Sequence, residues 1–118
     1  MKTLKEIVDL LENAKEILTV EAGVGMIVGD SGLCDFTLSM EEAEKKINEA
    51  FFFLHSFTDE AMTEELRNDK KISVILYACN KLFEIAEKLQ RSPFNFRSVM
   101  TSLNGVIIDL RNLRMGVL

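Results

Sequence analysis

Apolar residues return at every third or fourth position along most of the chain, the spacing at which side chains share one face of an α-helix. The last long stretch, from Phe94 to Val117, carries them at Phe96, Val99, Met100, Leu103, Val106, Ile107, Leu110, Leu113 and Val117. Between Ser98 and Ile108 it has no charged side chain at all. A helix open to water on one side normally carries charge there, so this one is expected to be covered on more than one face, as the central helix of a small bundle. Ser92-Pro93 offers an N-cap and a proline at the first helical position for its start.

Three more segments carry the same periodicity. Thr3-Leu4-Lys5-Glu6 fits a capping box and is followed by Leu4, Ile7, Val8, Leu11, Ala14 and Leu18, which predicts a helix from Thr3 to about Glu21. Ser39-Met40-Glu41-Glu42 repeats the box ahead of Ala43, Ile47, Ala50, Phe51, Leu54 and Phe57. That helix either breaks and restarts on a Thr58 cap or runs on to about Arg67. A third, from about Lys70 to Arg91, presents Ile72, Ile75, Leu76, Cys79, Leu82, Phe83, Ala86 and Leu89, with its charged residues mostly elsewhere. Short connections at 68–69 and 92–95 make these last helices antiparallel neighbours.

Residues 22–38 break the pattern, holding every glycine but Gly105 and Gly116. Each glycine costs about 1 kcal/mol against alanine inside a helix. A frayed extension of the first helix followed by a loop is the expectation. The competing arrangement is a hairpin turning at Gly29-Asp30-Ser31-Gly32, with Met26–Val28 and Leu33–Thr37 as strands. The fold expected is all-α: one domain over residues 1–118, a four-helix up-down bundle with an irregular glycine-rich segment after the first helix.

Composition narrows the functional classes. The chain has 118 residues and a net charge of −5, which argues against nucleic-acid backbones and anionic membranes as partners. Charge is also uneven, since residues 1–67 carry an acidic excess and residues 68–118 a basic one. No apolar run approaches the roughly 18 residues of a membrane span, and the charged N-terminal stretch does not resemble a signal peptide. Cys34 and Cys79, far apart and outside any CxxC spacing, read as reduced thiols of a cytoplasmic protein.

Candidate chemistry is sparse. Gly29-Asp30-Ser31-Gly32 matches the tetrapeptide around the nucleophile of chymotrypsin-like serine proteases, but such a site needs two β-barrels that a short helical chain cannot build. Gly23-Val24-Gly25 lacks the strand and the third glycine of a phosphate-cradling turn. His55 is the only imidazole, which excludes a multi-histidine metal site; Asp59, four residues on, could pair with it. Glu41 with Glu44, and Glu84 with Glu87, have the E-x-x-E spacing of helical metal-dependent nucleotide hydrolases, although Glu84 and Glu87 stand among lysines and an arginine as on a solvated face. No cofactor is implied.

The anomaly is hydrophobic. Phe51, Phe52 and Phe53 are consecutive and span too much of a helix circumference for one core face, and an exposed Phe forfeits about 1.5–3 kcal/mol. Ile107 and Ile108 are adjacent as well, and Ser98, Ser102 and Gly105 form a strip that would let a helix approach closely. Either residues 22–38 wrap over this surplus, or it is an interface. The expectation is a small non-catalytic interaction module, a homodimer that also binds another protein as adaptor, regulator or inhibitor. Its interface would comprise Phe51, Phe52, Phe53, Ser98, Ser102, Gly105, Ile107 and Ile108. A metal-dependent nucleotide hydrolase and a bundle that binds an apolar small ligand are the alternatives.

Overall fold

The computed structural model describes residues 3–24, 33–34, 38–60, 70–91 and 93–115. Helix α1 (Leu4–Val24) starts at its capping box: the Thr3 hydroxyl oxygen accepts the Glu6 backbone N–H at 3.2 Å, satisfying a donor that no helical carbonyl reaches. It then continues through Gly23, as the helical extension requires. Strand β1 (Leu33–Cys34) follows, only two residues long. Its partner among the described residues is strand β2 (Phe94–Asn95), antiparallel, with Leu33 opposite Asn95 and Cys34 opposite Phe94. The possible turn at Gly29–Gly32 and strand at Met26–Val28 lie outside the described residues.

Helix α2 (Met40–Glu60) opens with Ser39 at the N-cap position, the Glu41 N–H meeting the Leu38 carbonyl at 3.2 Å. It does not break at Thr58. The Ser56 and Thr58 hydroxyls donate back to the carbonyls of Phe53 and His55, at 2.6 and 2.7 Å, and Thr58 is buried as a helix-interior residue. Helix α3 (Lys70–Gln90) matches its expected span. Helix α4 (Phe96–Met115) corrects the expected start: Asn95, not Ser92, is the N-cap, its side-chain oxygen accepting the Ser98 N–H at 2.9 Å. Phe94 is buried and paired with Cys34 in extended backbone, so the residue after Pro93 is unavailable as a first helical turn.

The main packing runs α1 on α2, α2 on α3, α3 on α4, and α4 back on α1, closing a four-helix up-down ring about 49 × 24 × 24 Å in extent. Side chains at the helix ends give the directions. Gln90, at the end of α3, donates to Glu44 near the start of α2, and Lys88 donates to Ser98 at the start of α4 at 3.1 Å. Arg111, late in α4, pairs with Glu12 early in α1. Acidic and basic segments thus meet at α2–α3 and α1–α4.

Each helix contributes a full stripe to one core, with Leu11, Leu18, Ile47, Leu54, Leu82, Leu89, Leu103 and Leu110 sealed from solvent. Two expectations change. Helix α4 is not central: Val99, Leu103, Val106, Ile107, Leu110 and Leu113 are buried, but Thr101, Gly105 and Ile108 face outward. Its uncharged stretch is an exposed side made of neutral residues. In α3 the buried stripe is Ile75, Ala78, Cys79, Leu82, Ile85, Ala86 and Leu89, turned away from Leu76 and Phe83, both of which are exposed.

Candidate interaction surface

The backbone of α2 turns about 100° per residue, so with Ala43, Ile47, Ala50 and Leu54 fixed in the core, Phe52 must point the opposite way. It is 68% exposed. Phe51 and Phe53 flank it and are half-buried against the edges of the core. The Phe51 ring lies 6.2 Å from that of Phe83 on α3, itself 53% exposed, and the Phe52 ring meets Phe53 edge-on at 5.6 Å. His55 stacks at a tilt on Phe51, 5.8 Å between centroids.

This aromatic bridge places two outer rows side by side. Asn48, Phe52 and His55 stand at i, i+4 and i+7 on α2; Leu76, Asn80 and Phe83 stand at the same spacing on α3. All six are exposed and none is a carboxylate, amine or guanidinium; the first charge on the α3 row is exposed Glu87, four residues beyond Phe83. In a chain with 28% charged residues, that is an unusual face for solvent alone. Leu76, Asn80 and Phe83 are the members missed in the sequence. The available signal was that α3 carries more bulky apolar residues than one stripe holds.

The remaining expected residues divide. Ile107 is 4% exposed and belongs to the core, which removes it from any surface. Ile108 is exposed, but on α4, diagonally across the bundle from Phe52. Ser98, Ser102 and Gly105 follow the α3 side of α4, yet a Cβ added at Gly105 would meet nothing of a neighbouring element within 4 Å, so no described helix makes a close approach there. The structure brings the phenylalanines together and separates them from the serine-glycine strip.

The acidic alternative gains little geometry. Antiparallel packing sets the start of α2, with Glu41 and Glu44, near the end of α3, with Glu84 and Glu87. Glu44 is engaged by Gln90, and Glu84 by Lys81 at 3.5 Å. Among the described residues no group of three or more His, Cys, Asp or Glu side chains is disposed to hold a metal ion. The side chain of Asp59, the suggested partner of His55, lies outside the described residues. Grooves of about 480 and 390 Å³ beside the α2 N-terminus are open and edged by Glu41, Glu42, Glu44, Glu16 and Glu21, which is poor lining for an apolar ligand.

Cys79 is buried, a free thiol, and burial pushes its pKa from 9.0 to about 11. It packs in the core, where burial disfavours the thiolate. No described helix is long and apolar enough to cross a membrane. Set against protein-family models, curated proteins and solved structures, the chain finds no match in any of the three.

Proposed function

We propose that the protein is a non-catalytic interaction module of the cytoplasm that pairs with a second copy of itself through the α2–α3 face and presents its remaining surface to another protein. The carrying observation is the uncharged exposed row pair centred on Phe52 and Phe83, outside a core that is already complete. A two-fold contact brings the same patch of both copies together, so a strongly charged patch repels itself while one with an apolar centre does not. Aromatic rings at the centre of such a patch, ringed by Asn48 and Asn80, have the composition of an interface core with a polar rim. A reduced, buried Cys79 fits an intracellular setting.

Light scattering on the eluting protein tests this directly. The wild-type chain is expected at twice its 13.4 kDa mass, and Phe52→Asp at the monomer mass with unchanged helical circular dichroism. A wild-type monomer at all concentrations sampled would end the self-pairing proposal.

A further inference from the structure

A second face is set up differently from the aromatic one. Lys70, Tyr77, Lys81 and Lys88 stand on α3 at offsets of 7, 11 and 18 residues, which at about 100° per residue puts them within about 20° of one line. That line runs along α4. Lys88 donates to Ser98 there, and Tyr77 and Lys81 form one wall of a groove of about 290 Å³ whose other wall is Thr101, Ser102, Gly105, Val106 and Asp109. The Lys81 ammonium lies 5.5 Å from the centre of the Tyr77 ring, and both Tyr77 and Ile108, on the outer side of α4, are 55% exposed.

Charge sorts the bundle the same way. Helices α3 and α4 carry four and three cations against two and one anions, whereas α1 and α2 carry two cations each against five and six anions. On the α3–α4 face itself Lys70, Lys81, Lys88 and Arg97 stand against Glu84, which pairs with Lys81, and Asp109, a basic excess on an acidic protein with Tyr77 and Ile108 in its middle; Arg111 turns instead to Glu12 of α1. We infer that the α3–α4 face docks an acidic amphipathic helix of a protein partner. The partner's apolar stripe lies on Tyr77, the groove and Ile108, and its carboxylates meet Lys70, Lys81, Lys88 and Arg97. Helix-in-groove recognition suits the dimensions, because 18 residues of α3 span about 27 Å, or five turns of a partner helix.

A second copy is the wrong occupant. Two-fold pairing here would set one basic face against another, and the acidic α1–α2 side of a copy lies on its far side, so using it would make a head-to-tail contact that builds rings or filaments in place of a dimer. Nucleic acid is disfavoured because a phosphate backbone makes no use of the apolar centre at Tyr77 and Ile108, and the protein's net charge of −5 does not favour a polyanion. The inference rests on reading the protein as an interaction module, and it names the class of the partner other than itself.

The probe is a synthetic amphipathic helix with a leucine stripe and glutamate flanks, compared with the same helix carrying lysine flanks, each titrated into the full chain by fluorescence anisotropy and amide chemical shifts. The glutamate helix is expected to bind, shifting Tyr77 to Lys88 and Thr101 to Asp109, with affinity falling steeply between about 0.05 and about 0.5 M salt. Ile108→Asp and Lys81→Glu should each weaken it roughly tenfold or more, with Phe52→Asp binding as wild type. Equal binding of the two helices, no binding of the glutamate helix, shifts confined to the α2–α3 face, or tighter binding of a single-stranded oligonucleotide at the same residues would overturn it. The outcomes separate from self-pairing: a wild-type monomer that still binds the glutamate helix defeats only the dimer, and a dimer that ignores it defeats only this face.

Discussion

Gly105 is exposed in the middle of α4, and beyond its own stretch of helix nothing lies within 4 Å of where a Cβ would sit. Glycine there carries the entropic penalty of a flexible backbone without relieving any contact, so Gly105→Ala should stabilise the fold by about 1 kcal/mol, seen as a higher midpoint in urea with an unchanged slope. Cys79 gives a test with a defined sign. Its folded pKa, about 11, stands above the 9.0 of the unfolded chain, so below pH 9 the thiol is neutral in both states and contributes no pH dependence. Between pH 9 and 11 the unfolded chain releases a proton that the folded one keeps, and stability falls as pH rises. The loss accumulates across that window and levels off above it. Unfolding curves should therefore decline less between pH 9 and 11 for Cys79→Ala than for wild type, after allowance for its lower starting stability.

Among the elements, the α1 and α2 starts and the α3 span were legible because local chemistry decides them: a capping residue ahead of α1 and α2, and an apolar periodicity along all three. The start of α4 was not, because two segments compete there. Ser92-Pro93 is a good local start signal, yet pairing of Phe94 with Cys34 from a distant part of the chain holds the next residues extended and passes the cap to Asn95. Asn95→Ala should accordingly cost about 1 kcal/mol in chemical denaturation, and Asn95→Asp much less, since a carboxylate also accepts the Ser98 N–H. The α3 stripe was misread for a related reason. Hydrophobicity ranks Leu76 and Phe83 above Ala78, but the buried stripe takes Ala78 and Ile85 and leaves the bulkier pair at the solvent edge. The same misreading hid half of the candidate face, because residues assigned to the core are not looked for on the surface. Phe52 escaped it, since three consecutive phenylalanines cannot all be buried by one helix face.

For the whole molecule, the ring of four helices fixes where surplus apolar surface can go. Core positions such as Leu54 and Leu103 are fully enclosed, so the bundle is closed without any help from Phe52 or Phe83. Substituting Phe52 should then leave the monomer's own stability nearly unchanged, whereas removing Leu103 as Leu103→Ala should cost about 2–5 kcal/mol through the cavity it leaves. If copies pair on the α2–α3 face, unfolding is coupled to dissociation, and mass action makes the melting temperature rise with protein concentration. Thermal unfolding of the wild-type chain should thus shift upward over a hundredfold dilution series read from dilute to concentrated, while Phe52→Asp melts at one temperature throughout. A concentration-independent wild-type midpoint would mean that the exposed phenylalanines face water in the dissolved protein, and the α2–α3 face would lose its claim as the pairing surface.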